Sequence, residues 1–299
     1  MKKTFFGIHV PTVTPFTPEG KIDNQGIRLL TNFFIDAGVR CLVPTANNGE
    51  QPHLTVSEKK QIWEKTLEAA SGKIAVVPSI TGNSTEEVVE HAKIAESIGA
   101  DGVMLAPPYY FRLNDNELFE HFSTVAKAIR IPLMIHNEPV IFKVDVMPSL
   151  VAKLNRIENI QLIKESTDNT QRIHEIIRLC GDNMTVVVAG GGTALESLLL
   201  GAKAWMTGLN NFLPKIAVTM YRFAVLEKKV DAARKVYFEK VLPVHSCMKE
   251  IGKPVPTVKY ALELLGIPVG NTRKPLQPLS DSEKGHLRAT LRDIGVFRK

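Results

Sequence analysis

The feature that most constrains the fold is a regular alternation of short apolar runs and longer amphipathic segments. Each apolar run is followed by a polar turn and then by a segment with helical spacing. Because parallel strands need a return helix between them, this order predicts a parallel sheet. Eight runs have this character, and they are FFGIHVPTVT (5–14), CLVP (41–44), IAVVPSI (74–80), GVMLAP (102–107), PLMIHN (132–137), IQLIKE (160–165), MTVVVAG (184–190) and AWMTGL (204–209).

Eight strand and helix units fit a (β/α)8 TIM barrel, an α/β fold that typically needs about 250 residues. Several helices begin with a Ser, Thr or Asn followed three residues later by Glu, as at Thr55, Ser84, Asn114 and Ser280. A doubly wound open sheet is the alternative, but GxGxxG is missing after the first run. We predict a catalytic barrel over residues 1–226 and a C-terminal helical extension over residues 227–299.

The composition excludes several classes of protein. The 37 Lys and Arg and the 31 Asp and Glu are mixed along most of the chain, which argues against nucleic-acid binding. The chain has no stretch of about 18 uninterrupted apolar residues, so we expect no membrane-spanning helix. The three cysteines lie outside any CxxC pattern, which predicts neither disulfides nor a zinc site. We expect a cytoplasmic protein that binds a small molecule, with the cations of NTRKPL and FRK on a solvated face.

Lys164 lies near the end of the sixth apolar run, and lysine is rarely buried without a partner or a purpose. In a TIM barrel the active site lies at the C-terminal ends of the strands. A poorly hydrated ammonium group there exists partly as free amine, which attacks a carbonyl carbon and forms a Schiff base. The alternative is a lysine at the rim that pairs with Glu165 or Asp168.

Other candidate residues follow strands two and four. Asn47, Asn48 and Gly49 form a tight turn whose amide groups could bind a carboxylate, although Asn-Gly is also a common turn pair. Tyr109 and Tyr110 follow strand four, where adjacent tyrosines more often pack than catalyse.

Three further candidates belong to strands five, seven and eight. His136 ends strand five and could move protons near neutral pH, or it could be a hydrogen-bonded core histidine. The run Gly190–Gly192 could bind a phosphate or let a ligand approach the backbone, and Met206 suggests an apolar wall. We therefore predict that the lysine amine, the histidine that carries protons, a tyrosine hydroxyl group and the asparagine turn meet at one rim of the barrel.

These motifs resemble the dihydrodipicolinate synthase and N-acetylneuraminate lyase family of Schiff-base (class I) aldolases. The resemblance covers essentially the whole chain and includes GIHVPTVTPFTPEGKID, NNGE, PPYY, HNEP, IKEST and LLGIPVGNTRKPLQPLS. It implies that Lys164 condenses with pyruvate or another 2-oxo acid, and that the turn at Asn47 and Asn48 holds its carboxylate. It also implies a tyrosine at Tyr110 that reaches a neighbouring subunit's site, a homo-oligomer (tetramer or dimer), and no metal or organic cofactor.

The chain departs from the family pattern where protons are moved. His136 occupies the position of the strand-five tyrosine, and Asn47 replaces the first threonine of the turn. Ile141 stands where synthases carry an arginine that holds the carboxylate of aspartate semialdehyde, and an aliphatic side chain cannot make that contact. We therefore predict an altered substrate class, with His136 in proton transfer.

Four hypotheses follow, in decreasing order of preference. The first is an aldolase or dehydratase that acts on a 2-oxo acid through a Lys164 iminium. The second is a 4-hydroxy-tetrahydrodipicolinate synthase in which another cation binds aspartate semialdehyde. The third is a non-catalytic 2-oxo acid binding protein, and the fourth is a phosphosugar enzyme that uses Gly190–Gly192.

Overall fold

The computed structural model of the chain describes residues 5–297. Within that range, eight strands lie inside the predicted apolar runs, and every pair of hydrogen-bonded strands is parallel. The strands are β1 (Gly7–Val10), β2 (Cys41–Leu42), β3 (Ala75–Val76), β4 (Val103–Leu105), β5 (Leu133–Asn137), β6 (Ile160–Glu165), β7 (Thr185–Ala189) and β8 (Ala204–Met206).

The sheet closes into a barrel. Its strand order is β3-β2-β1-β8-β7-β6-β5-β4, so that β1 pairs with both β2 and β8. The ends of the sheet meet where Ser79, just after β3, forms a parallel bridge with Met104 of β4. The Asp101 amide, just before β4, also donates to the Val76 carbonyl of β3 at 3.0 Å. The predicted (β/α)8 TIM barrel is therefore confirmed, and the open-sheet alternative is wrong.

Helices return the chain between the strands. They are α1 (Asn24–Asp36), α2 (Val56–Ala70), α3 (Thr85–Ser97), α4 (Asp115–Lys127), α5 (Pro139–Phe142), α6 (Pro148–Leu154), α7 (Thr170–Cys180), α8 (Ala194–Leu199), α9 (Pro214–Tyr221), α10 (Val230–Val236), α11 (Leu242–Ile251), α12 (Pro254–Leu264) and α13 (Asp281–Asp293). Two π-helical segments extend α9 and α10, over Arg222–Leu226 and Tyr237–Val241. No helix within residues 5–297 combines the length and apolar character needed to cross a membrane.

The predicted helix starts form as hydrogen-bonded caps. Thr55, Asn114 and Ser280 each make a complete capping box with the glutamate three residues later. Ser84 accepts a hydrogen bond from the Glu87 amide, whereas the Glu87 carboxylate binds the preceding Asn83 amide instead of the Ser84 amide. These caps fix where α2, α3, α4 and α13 begin.

The C-terminal helices pack against the barrel. Val244 of α11, Leu262 of α12 and Leu287 of α13 are fully buried in the same hydrophobic cluster as the barrel helices. Whether residues 227–299 form a separate unit stays a prediction.

The prediction that NTRKPL lies on a solvated face is wrong for Arg273. Arg273 Nη1 donates to Glu58 Oε2 at 2.9 Å, and its guanidinium lies 4.5 Å from the centre of the Phe16 ring. The last two residues of FRK lie outside the described residues.

Candidate active site

A cavity of about 420 Å³ opens at the carboxyl ends of the strands. Residues that follow β1, β2, β5, β6, β7 and β8 line it, together with α11 and the start of α12. This is the end of the barrel where TIM-barrel enzymes carry their active sites. Among the residues that line the cavity are Asn47, Asn48, His136, Glu138, Lys164, Gly190 and Met206.

Lys164 is buried at the mouth of the barrel and its amine faces this cavity. The residue is 7% exposed. Its Nζ lies 2.8 Å from Glu138 Oε2 and 2.6 Å from His136 Nε2. The alternative of a rim lysine paired with Glu165 or Asp168 is wrong, because the partner of Lys164 is Glu138, which the sequence reasoning missed.

His136 lies beside Lys164 because β5 and β6 pair in register at these two residues. Its Nε2 also lies 2.7 Å from Glu138 Oε2, and the ring of Phe142 meets its ring edge-on at 5.0 Å. The side chain is buried, as the strand position requires. The predicted meeting of the imidazole and the amine at one rim is what the structure shows.

The electrostatics of this group favour a neutral imidazole and an ionised carboxylate. Burial, aided by the Lys164 ammonium, lowers the pKa of His136 to about 4. Burial alone raises the pKa of Glu138, but the Lys164 charge and the His136 hydrogen bond outweigh it and hold the pKa well below its usual range. An imidazole nitrogen either donates or accepts a hydrogen bond. His136 Nε2 therefore donates to Glu138 in the tautomer that carries its proton on Nε2, and it accepts from Lys164 in the other tautomer.

The asparagine turn closes one side of the site. Residues Asn47–Gly49 form a short 3-10 turn that ends at Glu50, which has a left-handed backbone with φ 60°. The first amide groups of such a turn lack intrahelical acceptors and are available to an anion. The Asn47 side chain also donates from Nδ2 to Glu138 Oε2 at 3.1 Å.

Gly49 lies behind the turn rather than in the cavity lining. Its carbonyl accepts a hydrogen bond from Thr14 Oγ1 at 2.7 Å. A Cβ at this position would lie 3.0 Å from the Thr12 carbonyl oxygen. Glycine is therefore needed here for close packing, and its predicted contact with substrate stays a prediction.

The glycine run after β7 makes room for the C-terminal helices. Gly190 lines the cavity with φ +82°, whereas a Cβ on Gly191 would lie 2.6 Å from Nδ1 of His245 in α11. Tyr237 Oη donates to the carbonyls of Gly191 and Gly192, at 3.0 and 2.7 Å. The run is therefore packed closely against the C-terminal helices, and its predicted binding of a phosphate stays a prediction.

Tyr110 does not join the cavity of its own chain. It is 78% exposed and meets the ring of Phe111, itself 69% exposed, at 5.0 Å. Tyr109 instead lies near Phe142, with ring centres 6.5 Å apart. A role for Tyr110 in a neighbouring subunit's site stays a prediction.

A partly buried polar network, which the sequence pattern did not predict, holds the ends of β5 and β6 together. Asn137 Nδ2 donates to Glu165 Oε2 at 3.1 Å and to Asp145 Oδ1 at 3.0 Å. The Arg172 guanidinium of α7 lies between the same two carboxylates, 2.9 Å from Asp145 and 3.3 Å from Glu165. The network fixes the strand ends that carry His136 and Lys164.

A closed parallel barrel with a buried amine at its mouth has the parts that a lyase of the class I aldolase type needs, and the relatives of the chain show that it is such a lyase. The chain belongs to the dihydrodipicolinate synthetase family, whose model matches residues 4–294. It is 33% identical, over 294 residues, to a 4-hydroxy-tetrahydrodipicolinate synthase from Methanococcus vannielii, covering 98% of this chain and 99% of the relative.

Solved structures of the family have the same fold. Dihydrodipicolinate synthase from Aquifex aeolicus is 32% identical with a TM-score of 0.92, and the match covers 96% of this chain and 97% of that one. A prophage protein of the family from E. coli K12, solved in complex with pyruvate, is 26% identical with a TM-score of 0.94. That match covers 98% of this chain and 99% of the prophage protein.

Proposed function

We propose that this chain is a lyase in which Lys164 forms a Schiff base with pyruvate or another 2-oxo acid. One observation carries the proposal. The Lys164 amine lies inside the cavity and shares an oxygen of Glu138 with the Asn47 side chain, so that amine and turn face the same small space. A 2-oxo acid needs a nucleophile and a carboxylate site this close together, because its two carbonyl carbons are adjacent.

The substrate carboxylate binds the first amide groups of the turn at Asn47 and Asn48. The Lys164 amine then attacks the adjacent ketone carbon, and loss of water leaves an iminium. The iminium withdraws electrons from the neighbouring carbon, which allows a carbon–carbon bond to break or form there, or a leaving group to depart. His136, neutral and in contact with the amine, transfers protons in place of the family's tyrosine.

The part of the cavity away from Lys164 determines which second substrate binds. Val140, Ile141 and Met206 provide an apolar wall, and His245 and Lys249 of α11 provide polar groups. This mixture suits a 2-oxo acid with an apolar or aromatic part or with hydroxyl groups. The reaction is then an aldol cleavage, an aldol condensation or a dehydration.

Authentic 4-hydroxy-tetrahydrodipicolinate synthesis is the second candidate, supported by the names of the curated relatives. Ile141 cannot bind the carboxylate of aspartate semialdehyde, but Lys249 lines the same cavity and supplies a cation. A coupled assay with pyruvate and aspartate semialdehyde tests this candidate. Turnover that falls in Lys249→Ala would support it.

We further propose that the chain works as a homo-oligomer, a dimer or a tetramer, in the cytoplasm. The exposed rings of Tyr110 and Phe111 support a subunit contact, since such large apolar groups are commonly covered by a partner. Sedimentation of the wild type and of Tyr110→Ser tests whether this contact holds subunits together.

Trapping of the Schiff base tests the main proposal. Borohydride reduces an iminium to a stable amine, so wild-type protein with pyruvate should gain the mass of one reduced pyruvate per chain. Lys164→Arg keeps the charge and should gain none. Stabilisation of the fold by pyruvate without trapping would instead favour the non-catalytic binding protein.

A further inference from the structure

Glu138 presents a carboxylate directly to the nitrogen that would attack the substrate. Its Oε2 lies 2.8 Å from Lys164 Nζ, 2.7 Å from His136 Nε2 and 3.1 Å from Asn47 Nδ2. The side chain is only 22% exposed, towards the cavity. One oxygen atom therefore contacts the amine, the imidazole and the turn that would hold the substrate.

We propose that Glu138 is a catalytic residue that accepts the Lys164 proton and exchanges protons with the bound substrate, with His136 as the relay. The proposal rests on the Schiff-base function proposed above. The ammonium first gives one proton to Glu138, leaving a neutral amine that adds to the ketone carbon. Addition leaves a negative ketone oxygen and a positive nitrogen, and His136 Nε2, 2.6 Å from Lys164 Nζ, relays a second proton from that nitrogen to the oxygen, which becomes a hydroxyl group. The protonated Glu138 then gives its proton to this hydroxyl group, so that water leaves and the iminium forms.

The next step uses the same carboxylate. Ionised again, Glu138 takes a proton from the carbon next to the iminium, and the carbon–hydrogen electron pair moves to form a neutral enamine. Return of the proton from Glu138 regenerates the iminium. No oxidant, metal or further reactant is needed, because every proton that Glu138 accepts it later releases.

The surroundings of Glu138 suit a group that gains and loses a proton. While Lys164 is an ammonium, its charge keeps the carboxylate ionised. Once Lys164 becomes a neutral amine that charge is gone, and burial then raises the pKa of the carboxyl, so Glu138 can hold the proton. The proton affinity of Glu138 is thus tied to the state of the nucleophile beside it.

A purely structural ion pair predicts the opposite behaviour. A carboxylate that only fixed the ammonium would keep the amine protonated and slow its attack on the ketone. Removal of its charge would then leave the reaction unchanged or make it faster. The proposed role requires that removal of the charge slow proton transfer.

Exchange of the pyruvate methyl protons for deuterium separates these roles. The exchange reports proton removal from the iminium, and NMR follows it in heavy water with no second substrate. General acid–base catalysis contributes about 10²- to 10⁴-fold, so Glu138→Gln should lower the exchange rate by about 100-fold or more. Borohydride should still trap pyruvate on this variant after long incubation, and Glu138→Asp should recover part of the rate.

Glu120→Gln, on the exposed surface of α4, is the matched control and should exchange at the wild-type rate. Exchange by Glu138→Gln at or above the wild-type rate would overturn the proposal. If Glu138→Gln does not fold, as judged by circular dichroism, Glu138→Asp carries the test, and a wild-type rate in that variant overturns it. Wild-type protein that traps no pyruvate would instead refute the Schiff-base function itself.

Discussion

Replacement of Lys259 by methionine tests how the C-terminal helices support the asparagine turn. Lys259 of α12 makes an ion pair with Glu50 at 2.9 Å, and the two side chains are 4% and 0% exposed. Glu50 ends the asparagine turn and also accepts the Arg273 amide at 2.7 Å. Lys259→Met removes the positive charge and leaves the buried Glu50 carboxylate without the cation that contacts it, although the more distant Arg273 charge still acts on it.

The expected cost follows from this burial. Breaking a buried ion pair by removing one partner costs about 3–5 kcal/mol, because an uncompensated charge remains in the interior. Methionine retains much of the apolar packing against Phe16, over whose ring the Lys259 amine lies at 4.3 Å. We therefore expect the free energy of unfolding of Lys259→Met to fall by about 3–5 kcal/mol.

Urea denaturation followed by circular dichroism measures this change. Lys253→Met is the control, because the ion pair of Lys253 with Glu283 is partly exposed (38% and 24%), and exposed pairs contribute at most about 1 kcal/mol. Adding Glu50→Gln to Lys259→Met removes the stranded charge and should restore part of the loss. If Lys259→Met costs no more than Lys253→Met, the turn does not depend on this ion pair.

Three further predictions concern the site and its surroundings. The folded chain holds His136 with a pKa of about 4, while the unfolded chain has about 6.5, so stability should decline as pH falls through that window. The share of His136 in this decline is about 3 kcal/mol, in addition to that of His9 and His121, whose pKa burial also lowers to about 4. In pH-dependent denaturation, His136→Gln should therefore lose about 3 kcal/mol less than the wild type over that range. Gly191→Ala should lower the free energy of unfolding by about 1–3 kcal/mol, because its Cβ would lie 2.6 Å from the His245 ring. Gly192→Ala is the control and should lose less, because its Cβ would lie 3.4 Å from the same ring. Equal losses in denaturation would mean that packing against His245 does not require glycine at residue 191. Ile141→Arg should raise the turnover of pyruvate with aspartate semialdehyde in a coupled assay, because a guanidinium can bind the carboxylate of aspartate semialdehyde in bidentate fashion. An unchanged rate would mean that another group binds this carboxylate.

The strands, and the meeting of Lys164, His136 and the asparagine turn at one rim, could be predicted because they depend on local pattern. The apolar runs mark the strands, and the carboxyl ends of parallel strands meet at one rim. That rule alone brought Lys164, His136 and the asparagine turn together. The same rule could have found Glu138, which comes directly after β5, but its neighbours in HNEP do not show which way its side chain points.

Partners that are distant in sequence could not be predicted. Lys259 lies more than 200 residues from Glu50, and Arg273 is equally far from Glu58. Such contacts depend on how the C-terminal helices dock on the barrel, which no local periodicity encodes. The NTRKPL segment therefore looked solvated, although its arginine is bound to α2.

A crystal structure of the protein after borohydride reduction with pyruvate would show directly which lysine forms the Schiff base and where the substrate carboxylate binds. We expect continuous density from Lys164 Nζ to the second carbon of pyruvate, with the carboxylate on the amides of Asn47 and Asn48 and Glu138 beside the new bond. Pyruvate attached to a different lysine, or a carboxylate that faces away from the asparagine turn, would contradict this expectation.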